Sequence, residues 1–256
     1  MSEELPDVQD RLAALREATP ARVFLARAGR ALTTKANLQF QIDHAEARDA
    51  VHERLDVGAL IEILQGRGLA CVRVASAAHD RREYLLRPDL GRKLDEASHA
   101  RLAPLATGFD IAFVVADGLS ARAVSAHAGA LLDAALPAFR DAGWKIAPIV
   151  VVEQGRVAIG DEIGEILGAK FVAVLIGERP GLSSPDSLGV YLTFAPRVGR
   201  RDAERNCLSN IRAEGMSYRE AAARMFRLAT AARRLGLTGV ALKDETAMPG
   251  ATSPWD

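Results

Sequence analysis

The chain has 256 residues, and its 33 Lys and Arg side chains balance 33 Asp and Glu side chains. Proteins that bind nucleic acid usually carry a basic excess, because neutralised phosphates supply much of the affinity. The zero net charge therefore argues against that class. Hydrophobic residues make up 49% of the sequence, which is typical of a globular protein, and apolar runs such as 171–176 are too short to span a membrane.

The cysteine content and the N-terminus predict a cytoplasmic protein. Cys71 and Cys207 are the two cysteines, too few for a disulfide framework, and neither lies in a C-x-x-C motif. We therefore expect reduced thiols. The first residues include several acidic side chains and no apolar core, so no signal peptide is predicted.

The first part of the chain, 21–105, is predicted to be mostly helical, and the polar, alanine-rich residues 1–20 are predicted to form a flexible tail. Asp56 precedes one of the helical patterns and is a residue type that caps helices. Predicted helices lie at 44–54 and 56–66, followed by a short strand at 69–75.

From residue 109 onward, wholly apolar runs alternate with helical periodicity. Strands that are apolar on both faces and alternate with helices predict a mainly parallel sheet covered on both sides. We therefore expect a doubly wound, Rossmann-like α/β domain over 106–245, followed by a loose tail at 246–256. The predicted strands are 109–117, 145–153, 171–178 and 190–196. One predicted helix begins at Ser120, and two others span 156–168 and 217–235.

Ligands of such sheets bind in the loops at the carboxyl ends of the parallel strands. Three loops qualify here, at 117–120, 153–157 and 177–189. The turn 153–157 suggests a phosphate site, but the glycines that follow it do not have the G-x-G-x-x-G spacing of dinucleotide-binding proteins. Close packing of a helix on the sheet explains these glycines better: Gly160, Gly164 and Gly168.

Several polar residues have two interpretations on chemistry alone. Glu178, at a strand end, suits either hydrogen bonds from ligand amides or a surface salt bridge. Cys207 has no histidine near it in sequence, so core packing is favoured over a catalytic thiol.

The arginine-rich stretch 197–212 is interspersed with acidic residues and predicts a solvated or protein-facing surface. The five histidines lack zinc-ligand spacing, so no metal site is expected, and His127 is predicted to be packed.

Longer strings in the sequence go further than these short motifs. They closely resemble the small (light) subunit family of ethanolamine ammonia-lyase, over roughly 21–245. The strings are RAGRALTTKANLQFQIDHAEARDAVH (27–52), YLLRPDLGRKL (84–94), VVADGLSARAV (114–124), VVVEQGRVAIGDEIGEILGAK (150–170), LIGERPGLSSPDSLGVYLTFAP (175–196) and DAERNCLSNIR (202–212).

The resemblance implies an enzyme that converts ethanolamine to acetaldehyde and ammonia with adenosylcobalamin. It implies a large subunit, a (β/α)8 barrel that holds the substrate, with the corrin between the two subunits and a multimer of large–small pairs. No catalytic residue and no metal ligand are then expected on this chain. Some members of the family are encapsulated in a bacterial microcompartment, so either that location or the open cytoplasm is expected.

The family's cobalamin contacts map onto Val157, Glu178 and Cys207, with Arg156 as a weaker candidate beside Val157. The resemblance thus favours a ligand contact at Glu178 and at Cys207. No histidine has an aspartate two residues before it, as a D-x-H-x-x-G motif would require, so base-on cobalamin is expected. Two alternatives remain: a stand-alone nucleotide-binding enzyme that uses the turn 153–157, and a scaffolding subunit without ligand contacts.

Overall fold

Helices cover both faces of a six-stranded sheet in the computed structural model, which describes residues 12, 15, 17, 23, 25, 27–105 and 107–242. The predicted tail at 246–256 lies outside the described residues, as does nearly all of the one predicted at 1–20. Within the described part of the chain, no helix combines the length and the apolar character needed to cross a membrane.

The strands confirm a mainly parallel sheet. A small hairpin, β1 (Arg27–Ala28) and β2 (Ala31–Leu32), precedes the sheet strands β3 (Cys71–Ala75), β4 (Ile111–Ala116), β5 (Ile149–Glu153), β6 (Phe171–Gly177), β7 (Leu188–Phe194) and β8 (Arg205–Ile211). The order in the sheet is β3-β5-β4-β6-β7-β8. The first four of these are parallel to one another, whereas β7 and β8 are antiparallel additions.

Seven α-helices surround this sheet within the described residues. They are α1 (Thr34–His52), α2 (Val57–Gly66), α3 (Arg81–Leu86), α4 (Glu96–Leu102), α5 (Ala121–Asp141), α6 (Ile159–Ile166) and α7 (Tyr218–Leu235), and short 3-10 turns lie at Leu90–Arg92 and Asp202–Glu204. Helices α2 and α5 begin at side-chain caps, since Asp56 accepts a hydrogen bond from the Ala59 N–H and Ser120 one from the Ala123 N–H. The predicted cap at Asp56 is confirmed.

The core divides into two layers because successive side chains of a strand point to opposite faces. Every residue of β4 and β6 is buried. In β4, Phe113 and its alternating neighbours pack with α2, α5 and α7, whereas Val114 and its neighbours pack with α4 and α6. This arrangement is why the central strands are apolar on both faces, and the predicted doubly wound α/β class is confirmed.

Two details differ from the predicted elements, and a third concerns the predicted domain boundary. Residues 205–211 of the arginine-rich stretch form the strand β8, in which Cys207 and Asn210 are exposed, whereas Arg205 and Arg212 are buried. Helix α1 begins ten residues earlier than predicted, after Thr33, whose hydroxyl caps it. Strand β3 comes from the region 21–105, so the sheet takes strands from both sides of residue 106; the division into domains stays a prediction.

The glycines of α6 confirm close packing at two positions. A Cβ at Gly160 would lie 2.3 Å from Val174 Cγ2, and one at Gly164 would lie 2.5 Å from Pro196 Cγ. Gly168 is different, since it follows the helix with φ +55°, a left-handed conformation that glycine adopts readily. The prediction that Gly168 shares the packing role is therefore wrong.

Candidate functional site: a cleft at the carboxyl ends of the strands

The loops after β4, β5 and β6 surround a cleft of about 440 Å³. This is the edge of a parallel sheet where ligands bind. The structure brings three of the four predicted site residues, Arg156, Val157 and Glu178, into the lining of this one cleft. The lining also includes Gly118, Leu119, Ile176, Gly177, Arg179, Tyr84 and Tyr191.

A buried carboxylate sets the turn that carries Arg156 and Val157. Asp117 directly follows β4 and is 1% exposed. Its Oδ2 accepts a hydrogen bond from the Gln154 N–H at 3.0 Å, and its Oδ1 accepts one from the Gly155 N–H at 2.9 Å. Gln154 has φ +55°, a conformation uncommon for residues other than glycine. Burial raises the pKa of Asp117 to about 6, although the neighbouring Arg81 opposes the rise.

Arg81 ties this carboxylate to two other parts of the chain. Its Nη1 lies 3.5 Å from Asp117 Oδ2 and donates to the Gly118 carbonyl at 2.8 Å. Its Nε donates to the Val51 carbonyl near the end of α1 at 2.7 Å. Burial lowers the pKa of Arg81 from its usual value. The remaining nitrogen, Nη2, is buried without a hydrogen-bond partner in the described part of the chain.

Arg156 packs against an aromatic ring at the floor of the cleft. The centre of its guanidinium lies 4.2 Å from the centre of the Tyr84 ring, and that of Arg81 lies 4.7 Å from the same ring. The Tyr84 hydroxyl donates to the Gly155 carbonyl at 3.2 Å, and burial raises the pKa of Tyr84 well above its usual value. Within the described residues, Arg156 Nε is buried and unpaired.

Glu178 lies at the end of β6 with half of its hydrogen-bonding capacity in use. The Ser187 hydroxyl and, at 3.2 Å, the Asn210 N–H both donate to Oε2 of Glu178. Among residues 27–105 and 107–242, none donates a hydrogen bond to the other oxygen, Oε1. The surface salt bridge considered as one interpretation of Glu178 does not occur within the same ranges. The carboxylate is held in place from one side and can accept from the other.

Cys207 lies beside the cleft. It is opposite Tyr191, a residue of the cleft lining, across β7 and β8. Cys207 is exposed, so the core packing favoured from residue chemistry alone is wrong. Loss of water around the sulfur still raises the pKa of the Cys207 thiol, which therefore stays protonated near neutral pH.

Side chains of the metal-binding types do not cluster here. No group of three or more His, Cys, Asp or Glu residues in the described ranges could hold a metal ion. His127 is buried, with Nδ1 2.8 Å from the Tyr218 hydroxyl and Nε2 3.3 Å from Asp186 Oδ2, so it is packed as predicted.

Three residues of the site were not singled out from the sequence: Tyr84, Arg81 and Tyr191. Asp117 belongs to the loop 117–120, which was predicted to lie at the ligand-binding edge, but its hydrogen bonds to the turn were not predicted. Arg81 and Tyr84 come from α3, and only the folded chain brings α3 beneath the cleft.

The fold and the cleft together define a doubly wound α/β protein with a candidate ligand site at the carboxyl ends of its parallel strands. Comparison with known proteins narrows this class. The model of the family described as ethanolamine ammonia-lyase light chain matches residues 9–243, and the chain belongs to this family of lyase subunits.

Curated relatives named ethanolamine ammonia-lyase small subunit cover nearly the whole chain. The relative from Xanthomonas campestris pv. campestris is 54% identical over 97% of this chain and 93% of its own length. That from Azotobacter vinelandii is 55% identical over 96% of this chain and 92% of its own length, and that from Pseudomonas aeruginosa is 55% identical over 90% and 86%. The resemblance drawn from the sequence strings is confirmed.

Proposed function

We propose that the chain is the small subunit of an adenosylcobalamin-dependent ethanolamine ammonia-lyase, which converts ethanolamine to acetaldehyde and ammonia. In this proposal the chain holds cobalamin against a large (β/α)8-barrel subunit that binds the substrate. The observation that carries it is the cleft, in which Arg156, Val157 and Glu178 meet with Cys207 beside them. The relatives' name, small subunit, supports a large-subunit partner.

The chemistry of the lining fits a corrin. A corrin has an apolar face and a periphery of amides, and a cofactor site of this type needs apolar contacts with a few placed polar groups. Val157 supplies an apolar side chain, and Glu178 Oε1 is an acceptor for amide N–H groups. The buried, unpaired Nε of Arg156 is a donor that an amide carbonyl would satisfy. When bound, adenosylcobalamin supplies the cleavage of its cobalt–carbon bond that begins radical chemistry.

The chain's own residues then bind, orient and shield rather than react. Ser187 and Asn210 hold the Glu178 carboxylate in one orientation. Cys207 lies at the edge of the cleft, opposite Tyr191 in the neighbouring strand. We propose base-on binding, no catalytic residue on this chain, and a multimer of large–small pairs in the cytoplasm, either free or inside a bacterial microcompartment.

The decisive experiment is reconstitution with the large subunit. The two chains are co-expressed and purified, and acetaldehyde formation from ethanolamine is measured with and without adenosylcobalamin. We expect co-elution and activity only when both subunits and the cofactor are present. Activity of this chain alone, or full activity of the large subunit without it, would overturn the proposal, and saturable nucleotide binding by the isolated chain would favour the stand-alone alternative.

A further inference from the structure

The turn that presents Arg156 and Val157 is held by a side chain outside the lining of the cleft. We propose that Asp117 is a positioning residue for the cofactor-binding turn, fixing it through two backbone hydrogen bonds while Arg81 balances its charge. This inference rests on the proposed function, because the turn matters only if the cleft holds cobalamin. It assigns no contact with the cofactor to Asp117 itself.

The geometry favours an ionised carboxylate. The two N–H groups of Gln154 and Gly155 point at different oxygens of Asp117, at 3.0 and 2.9 Å. An amide would face one of these N–H groups with its own NH2, which cannot accept, and a carboxylic acid would face one with a protonated oxygen, which is a weaker acceptor. The carboxylate is therefore the form that accepts both hydrogen bonds at full strength, and these bonds support the left-handed Gln154.

Arg81 favours the charged form of Asp117 against the larger, opposite effect of burial, although Arg81 itself has one nitrogen without a hydrogen-bond partner among the described residues. Arg81 is 4% exposed and is the cation nearest to Asp117, at 3.5 Å. The guanidinium groups of Arg81 and Arg156 both pack against the ring of Tyr84. Tyr84 stays neutral because burial raises its pKa. The ionisation of Asp117 is therefore the step in this cluster that responds to pH near neutrality.

The pH response has a definite sign. Burial raises the pKa of Asp117 to about 6, so the carboxylate is ionised at pH 7.5 and takes up its proton as the pH falls through 6. Protonation weakens one of the two acceptors that hold the turn and so loosens Arg156 and Val157. Affinity for cobalamin should therefore be highest above pH 7 and should fall below pH 6.

The test measures cyanocobalamin binding to the reconstituted two-subunit complex by equilibrium dialysis at pH 5.5 and 7.5. We expect Asp117→Asn to weaken binding about tenfold at pH 7.5, the worth of one charge-assisted hydrogen bond. The wild-type affinity should approach that of the variant at pH 5.5, where Asp117 is protonated. A purely structural role would lower affinity by the same factor at both pH values.

The matched control is at the other end of the same strand. Asp110 precedes β4, accepts the Lys145 N–H at 2.9 Å and pairs with Lys170, but it is remote from the cleft. Asp110→Asn should leave both the affinity and its pH dependence as in the wild type.

A second variant covers the case in which Asp117→Asn does not assemble. Arg81→Lys keeps a positive charge but loses the guanidinium contacts with Asp117 and Gly118, so the midpoint of the affinity loss should move to higher pH. An unchanged midpoint, a wild-type affinity that is independent of pH, or an Asp117→Asn complex with normal affinity would overturn the positioning role. A wild-type complex that binds no cobalamin at all would instead overturn the proposed function.

Discussion

Arg205 and Asp161 form a two-point ion pair inside the protein. Nη1 and Nη2 of Arg205 donate to Oδ1 and Oδ2 of Asp161 at 2.6 Å each, and each side chain is 2% exposed. Nη1 also donates to the Thr193 hydroxyl at 3.0 Å. This pair connects α6, which follows the turn bearing Val157, to β8, which bears Cys207.

Removing one partner of this pair should destabilise the chain strongly. Arg205→Met leaves the Asp161 carboxylate buried without its cation, a loss of about 3–5 kcal/mol, measured as the free energy of unfolding in urea. Arg122→Met is the control, since Arg122 pairs with Glu53 at 3.3 Å with both side chains 44% exposed. It should cost less than about 1 kcal/mol, and equal losses for the two variants would contradict this account.

Gly177 is expected to tolerate no side chain. A Cβ there would lie 2.0 Å from the Ser120 carbonyl oxygen and 2.6 Å from that of Asp117, and backbone cannot move aside cheaply. Gly177→Ala should lower stability by about 1–3 kcal/mol or more. In Gly66→Ala, at the end of α2, the new Cβ meets nothing within 4 Å, so stability should stay the same or rise by up to about 1 kcal/mol. Thermal unfolding of both variants provides the comparison.

Glu178→Ala should weaken cobalamin binding to the two-subunit complex. The loss should be roughly 1.5–3 kcal/mol for each charge-assisted hydrogen bond that the carboxylate makes, measured as a change in Kd. Glu214→Ala is a suitable control, because Glu214 is an exposed carboxylate paired with Arg212. An unchanged Kd in Glu178→Ala would remove this residue from the site.

The two thiols should report cofactor binding differently. Cys207 is exposed and Cys71 is half-buried, and burial raises the pKa of both thiols. Alkylation by iodoacetamide should therefore be slow at pH 7 and accelerate as the pH rises toward 9, because the thiolate is the nucleophile. Bound cobalamin should slow the reaction at Cys207 and leave Cys71 unaffected, as peptide mass spectrometry can determine. Equal protection of the two cysteines would argue against a contact at Cys207.

Local patterns were enough to predict the central sheet. Strands such as β4 and β6 are buried on both faces, so each can be recognised as an apolar run from its own residues alone. The caps at Asp56 and Ser120 are equally local, since the side chain and the N–H that it accepts from are three residues apart.

Strand β8 could not be predicted in the same way. Arg205 reads as a surface residue unless its partner is known, and that partner, Asp161, lies 44 positions earlier in the chain. The hydrogen bonds that hold the turn of the cleft are also long-range, since Asp117 accepts from Gln154 and Gly155, which lie 37 and 38 positions later in the chain. Pairings at such separations depend on how the helices and strands pack, and the hydrophobic periodicity of the sequence carries no information about that packing.

The two outer strands of the sheet carry features that disfavour pairing with further strands. An unpaired strand edge is a template for adding further strands and hence for aggregation. Strand β8 lies at one edge; its Arg205 points inward, and its pairing with β7 shifts register between Leu188 and Val190. Strand β3, at the other edge, is five residues long and carries a solvent-facing Arg73. We therefore expect both edges to disfavour edge-to-edge pairing between copies of this chain.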